Sequence, residues 1–420
     1  MLNKPFPYHA FLSFSNCQTQ YRTPLHIAVQ CSNKELVQQL LLNNAVVNTQ
    51  DFAGNTALHY AESPDLTQVL LDGGNNPNIP NGEGLCSLHL AVKRKDFMSV
   101  KCLLSHGANV NNADDEYWYT PLHLVAHADT FSTPPSTDKS TSVRGPIAEL
   151  LCETTVPSIP DLNYQDRDGN TPLHHAASLV EEDAGILISL FIEHGSSPKI
   201  ANNRGQTPLH LFCHNDLARR FVFYHEALHL MLACGADPNQ ASLSGCTALH
   251  LALYHQDIEA AALLVRHGAQ LNSKWRKPMK WEVFWTDMGS EDVLPLDMLE
   301  NVSMLHAVLK EISTPQIAAN HRSKCMNCKE KFRVFGRHHN CMHCGRSVCG
   351  HCTPGSLNSS FFPTGRKEDD TRNGLMKVCV LCESILLSRA ETGNITNNAT
   401  MSVAGEEIVC DSTSIGTISM

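Results

Sequence analysis

A chain of 420 residues is too long for one ordinary core, so two or more domains are expected. Its 42% hydrophobic and 18% charged content fits a globular protein, and no apolar run reaches the roughly 18 residues that a membrane-spanning helix needs. The net charge of −10 hides an asymmetry: residues 321–391 hold 12 Lys and Arg against 6 Asp and Glu, which leaves −16 on the remainder. A basic island on an acidic chain points to a local anionic partner and argues against general nucleic-acid affinity.

From the amino end, Met1–Cys17 has one Lys and a broken apolar run (Phe11, Leu12, Phe14) with no small-residue cleavage pattern, so no signal peptide is expected. Of 17 cysteines, eight form four Cys-x-x-Cys pairs. The others are scattered, several inside apolar helical patterns (Cys102, Cys152, Cys213, Cys234). That usage fits reduced intracellular thiols better than a disulfide framework, and the Asn-x-Ser/Thr sites at Asn394 and Asn398 then carry no weight.

Thr-Pro-Leu-His or a close variant returns along the chain, starting at Thr23, Thr56, Cys86, Thr120, Thr171, Thr207 and Thr247, in steps of 33, 30, 34, 51, 36 and 40 residues. A weak last copy is Leu294-Pro295-Leu296-Asp297. Before the motif stand turn sequences such as Asp51-x-x-Gly54, Asp166-Arg167-Asp168-Gly169 and Asn202-Asn203-Arg204-Gly205, with Gly where φ is positive. Thr caps a helix, Pro occupies its first turn, and Leu enters the core. Second helices follow, as in Leu36–Leu41, Val100–Leu104 and Ala260–Leu264, several of them ending at Gly-Ala.

Period and motif together resemble the ankyrin repeat, a β-turn plus two antiparallel helices. The expected architecture over residues 20–315 is a mainly α solenoid of about seven or eight repeats, which binds a protein partner on an extended face. The motif histidines (His26, His59, His89, His123, His174, His210, His250) are expected to be structural hydrogen-bonders rather than ligands or catalysts. Two insertions interrupt the stack, near residues 131–145 and 273–293. The first is Ser/Thr/Pro-rich and reads as a loop. The second holds Trp275, Trp281 and Trp285, and reads as an atypical cap in preference to a binding hairpin.

The Cys pairs are Cys325-x-x-Cys328, Cys341-x-x-Cys344, Cys349-x-x-Cys352 and Cys379-x-x-Cys382, with gaps of 12, 4 and 26 residues. Each knuckle presents two thiolates to one metal, and four thiolates close a tetrahedral structural zinc site with no position open for catalysis. The short middle gap disfavours folding the second and third pairs onto one ion. Interleaving assigns Cys325, Cys328, Cys349 and Cys352 to a first Zn²⁺, and Cys341, Cys344, Cys379 and Cys382 to a second.

Over residues 317–389 the module resembles the FYVE zinc finger. The resemblance rests on Phe332 after the first pair, Arg337-His338-His339-Asn340-Cys341, Cys344-Gly345 and Lys377-Val378-Cys379. It implies a small two-zinc, cross-braced domain of short β-hairpins and a C-terminal helix that docks on phosphatidylinositol 3-phosphate in early endosomal membranes, the protein being otherwise cytoplasmic. Arg337, His338, His339 and Lys377 stand at the family's lipid-contacting positions, and Val334 and Phe335 at its membrane-inserting tip. Asn340 replaces the second family histidine, Met342 replaces the closing Arg, and the Trp-x-x-Asp upstream of the first Cys is absent. Arg337 and Lys377 offer full charge to a phosphate, whereas the histidines do so only when protonated, near or below about pH 6.5. Residues 391–420 are Thr/Asn/Ser/Gly-rich and are expected to be disordered.

The expectation is a non-enzymatic adaptor, with no catalytic residue, that joins a protein partner to a phosphoinositide membrane and binds no nucleic acid. The alternatives are a RING-like ubiquitin ligase, which the four-residue gap and the Arg337-His338-His339 run disfavour, and a zinc-stabilised protein-interaction module without lipid binding. Chelation should unfold the zinc module and leave the repeats untouched.

Overall fold

The computed structural model describes residues 21–128, 143–155, 158–181, 183–215, 223–273, 295–298, 302–312, 338–341, 343–344, 347–349, 352, 355–358 and 375–391. The chain divides into two compact units, Met1–Ser197 and Pro198–Met420.

In the first unit short helices alternate in pairs: α1 Pro24–Gln30 and α2 Lys34–Leu42, a 3₁₀ turn Ala57–Tyr60 and α3 Pro64–Asp72, α4 Ser87–Lys93 and α5 Phe97–Ser105, α6 Pro121–Ala126 and α7 Arg144–Cys152, α8 Pro172–Ser178 and α9 Asp183–Glu193. The 3₁₀ turn replaces a full helix because the chain must reach Ser63 in extended conformation before Pro64, and the residue ahead of a proline is steered away from helical φ and ψ. Helix α7 starts at Arg144, inside the stretch read as loop. The Arg144 side chain is fully buried, donating to Val125 O at 3.1 Å and Glu181 Oε2 at 2.9 Å, with Asp183 Oδ2 at 3.6 Å. A buried guanidinium persists only when compensated in this way.

The motif sets each first helix. Thr supplies an extended N-cap, and its backbone N–H donates to the motif His Nδ1 at 3.0–3.2 Å in all seven copies, Cys86 standing in for Thr in one. Because Nδ1 accepts, the proton sits on Nε2, which reaches the carbonyl of a following turn: His26 to Asn55 O at 3.0 Å, His59 to Leu85 O at 3.0 Å, His89 to Asn112 O at 2.9 Å and His123 to Asn170 O at 3.1 Å. The histidine thus closes its own helix and ties it to the next repeat. Burial pushes His89 down to about 4 and His123 to about 3, so both stay neutral.

Turn tips, or fingers, stack along the unit by backbone hydrogen bonds: Gly82 N to Ala53 O at 2.8 Å, Asp115 N to Glu83 O at 3.0 Å and Arg167 N to Tyr117 O at 2.9 Å. Inside each finger an Asp or Asn carboxyl or amide oxygen accepts two backbone N–H groups, as Asp51 Oδ1 does from Ala53 and Asn55. Second helices stop where Gly74, Gly107 and Gly195 turn to positive φ. The core is a run of buried Leu, Ala, Val and Ile from successive helices, including Leu58, Leu88, Leu122 and Leu173. Each fully buried Leu contributes roughly 1.5–3 kcal/mol of transfer free energy. The buried thiol of Cys152 is pushed up to about 12 by desolvation, which keeps it an inert thiol.

The second unit continues the pattern with α10 Pro208–His214, α11 Tyr224–Ala233, α12 Ala248–Tyr254 and α13 Ile258–Arg266, then a 3₁₀ turn Pro295–Met298 and α14 Val302–Lys310. The weak motif copy forms that 3₁₀ turn against α12, and α14 packs on α13. Two antiparallel hairpins follow: β1 His338–Asn340 with β2 Ser347–Cys349, and β3 Gly355–Asn358 with β4 Leu375–Val378. The last element is α15 Val380–Glu391. The tryptophans of the second insertion and the segment after 391 lie outside the described residues.

Candidate metal centre

Four cysteine sulfurs lie within 4.8 Å of one another: Cys341, Cys344, Cys379 and Cys382. Local structure brings each in. Strand β1 delivers Cys341 directly after Asn340, and a turn returns the chain at Cys344. Strand β4 delivers Cys379, and the first turn of α15 carries Cys382, one helical step further on the same side. All four are buried, at 1% exposure or less. Cys379 N–H donates to Cys341 Sγ at 3.3 Å, the kind of bond that stabilises a thiolate.

Four thiolates tetrahedral about a zinc at about 2.3 Å would stand about 3.8 Å apart, so the observed cluster fits the ion with little rearrangement. An all-sulfur, water-excluded donor set suits zinc held for structure, with no open coordination position. His343, inside the first knuckle, is buried at 1% exposure and does not join the four sulfurs.

The remaining site residues fall as follows. Cys325, Cys328, Val334, Phe335 and Arg337 lie outside the described residues. Of the other sulfurs expected at a first ion, Cys349 ends β2 and Cys352 is half-buried. His338 and His339 form β1 opposite Cys349 and Val348. Lys377 lies on β4 opposite Ser356 and is exposed. Strands β1 and β4 lie beside each other, so the four-sulfur cluster joins the strand that holds His338 and His339 to the strand that holds Lys377.

Sequence reasoning missed what lies behind the cluster. Helix α15 packs on α14 with Ile385 and Leu386 buried, and Asn272 Nδ2 donates to Cys344 O at 3.1 Å in a buried position. The apolar spacing of Leu305, Val308, Leu309 and Ile312 was the available signal for a helix face in need of cover.

Family models agree with this division. The ankyrin-repeat models match residues 8–63, 61–132, 160–212, 204–242 and 244–276, together more than half of the chain. The FYVE zinc finger model matches residues 316–388. The chain is similar to Rabankyrin-5 of Mus musculus, 25% identical over 419 residues, covering 87% of this chain and 34% of that protein. The Homo sapiens Rabankyrin-5 gives the same figures of 25%, 87% and 34%. Inversin of Mus musculus is 29% identical over 191 residues, covering 44% of this chain and 16% of its own length. The chain therefore spans about a third of the Rabankyrin-5 proteins and less of Inversin.

Proposed function

Because the chain belongs to the ankyrin-repeat proteins and carries a FYVE zinc finger after its repeats, we propose that it is a non-enzymatic adaptor. The repeats grip a protein partner, and the zinc finger docks on membranes bearing phosphatidylinositol 3-phosphate, which places the protein on early endosomes. Two Zn²⁺ ions hold the finger, one at Cys341, Cys344, Cys379 and Cys382 and the other at Cys325, Cys328, Cys349 and Cys352. Arg337, His338, His339 and Lys377 receive the phosphates, and Val334 and Phe335 enter the bilayer.

The observation that carries this reading is the fastening of β1 and β4 by one buried sulfur cluster. His338 and His339 on β1 and Lys377 on β4 stand on neighbouring strands joined by that cluster, an arrangement that supports phosphate binding by Lys377 and, once protonated, by the histidines. The apolar tip adds roughly 2–3 kcal/mol per buried side chain, so durable attachment needs a second contact, which a bound partner supplies.

The test is co-flotation of the full chain with liposomes that contain or lack phosphatidylinositol 3-phosphate, beside Arg337→Ala and Lys377→Ala. Lipid-dependent flotation that each substitution lowers about tenfold is expected, since hydrogen bonds to charged groups contribute about 1.5–3 kcal/mol. Flotation indifferent to the lipid would leave a zinc-stabilised protein-interaction module and refute membrane docking.

A further inference from the structure

The fingers of the first unit are not alike. In the first and second, Gly54 and Gly84 take the left-handed position two residues ahead of the motif, at φ +77. In the third, Asp114–Thr120, the turn is one residue longer and that position is Trp118, at φ +61. A bulky side chain is disfavoured there, because its Cβ crowds the following carbonyl oxygen. The rings beside it are also turned outward: Tyr117 is 48% and Trp118 51% exposed. Tyr117 is nevertheless ordered, stacked on Tyr119 with centroids 5.2 Å apart, and Tyr119 stacks in turn on His123 at 5.8 Å. A stacked Tyr ring beside an exposed Trp on a strained turn has the makings of a binding anchor, since Trp and Tyr dominate interface hot spots.

A cavity of about 170 Å³ opens beside Tyr117, lined by Glu83, Asp114, Glu116, Tyr117 and Tyr119, with Lys93 and His127 also in its lining. It is below the roughly 300 Å³ of a small-molecule site and is the size for a side-chain head. Asp114 is already committed to the backbone N–H groups of Tyr117 and Tyr119, at 2.9 and 3.0 Å. Glu83 and Glu116 are exposed at the rim, Glu116 already accepting from the Tyr117 hydroxyl. Arg167 of the next finger is tied back to carbonyl oxygens, its backbone N–H on Tyr117 and its side chain on Glu116 at 3.2 Å, and does not line the cavity. The Tyr119 hydroxyl is pushed up to about 12 chiefly by burial, with Asp166, Asp168 and Asp114 adding to it.

We propose that this third finger is the anchor point for a basic protein segment, with an Arg or Lys head seated between Glu83 and Glu116 against Tyr117, and the neighbouring chain covering Trp118. A cation over an aromatic face is attracted by the ring quadrupole in addition to its ion pairing, and a guanidinium suits flanking carboxylates and rings together. The proposal rests on the protein-binding half of the adaptor reading and is independent of the lipid half.

The test uses the full chain and a labelled Arg-Gly repeat peptide, with a Gln-Gly counterpart as uncharged control, read by fluorescence polarisation. Trp118→Gly, and separately the pair Glu83→Gln with Glu116→Gln, should each weaken Arg-Gly binding about tenfold or more. Glu193→Gln, an exposed carboxylate on α9, should leave it unchanged. Trp118→Gly should also keep or raise the melting temperature, because glycine adopts φ +61 without penalty. Loss of binding with undiminished stability separates an anchor from a packing residue. Arg-Gly affinity equal to that of Gln-Gly, or equal in all variants, would overturn the proposal. Trp118→Gly should float with phosphatidylinositol 3-phosphate liposomes as the parent does, so failure of the lipid reading and failure of this one are told apart.

Discussion

At the scale of single residues the motif histidines govern how the repeats respond to acid. His59, His89, His123 and His210 are held below their ordinary value chiefly by burial. Their folded-state values lie below the unfolded value of about 6.5, so the unfolded chain takes up protons first as pH falls. Stability is complete above about pH 6.5 and is lost below it, down to about 4 for His89 and about 3 for His123. For His89 alone the loss should reach about 2 kcal/mol between pH 7 and pH 5. Urea denaturation across that interval checks it, and a flat profile would mean these rings are not buried neutral. Protonation would also place an Nδ1–H against the backbone N–H that now donates to it, from Cys86 for His89 and from Thr for the others.

At the scale of elements the fingers matter most, because they join one helix pair to the next. Gly54 sits at φ +77, and a Cβ there would meet Gly82 N at 2.5 Å, against the backbone that bonds Ala53 O. Gly74 has φ +87 and open space around it. Gly54→Ala should therefore cost about 2–4 kcal/mol, from left-handed strain plus displacement of the neighbouring finger, whereas Gly74→Ala should cost only about 1 kcal/mol. Thermal melts of the two variants decide it; equal losses would show that finger stacking contributes nothing measurable.

At the scale of the whole molecule, the zinc finger and the last repeat of the second unit share a surface, through α14 against α15 and Asn272 on Cys344 O. From this contact α14 is expected to respond to chelation, while the earlier helix pairs should not. Structural zinc contributes roughly 10–16 kcal/mol to small domains, and its loss would release α15 and uncover α14. Hydrogen exchange on the full chain with chelator should show protection lost across 302–312 and kept in α4 and α5. Unchanged protection in 302–312 would refute the coupling. Asn272→Ala should speed exchange there without chelator.

Much of this molecule was legible in its residues because the determinants are local. Thr and His three positions apart close their own helix, Asp or Asn folds its own finger, and Cys-x-x-Cys knuckles declare themselves by spacing. The repeats and the zinc finger follow from such short-range chemistry. The rest depends on residues far apart in sequence and was decided only by the tertiary structure. Asn272 meets Cys344 across 72 positions. The cavity beside Tyr117 needs two fingers and two helices at once. Helix α7 begins at Arg144 because Glu181 and Asp183, distant in sequence, neutralise a buried guanidinium. Local chemistry repeats itself and can be read residue by residue, whereas burial and charge compensation exist only once the chain has folded back on itself.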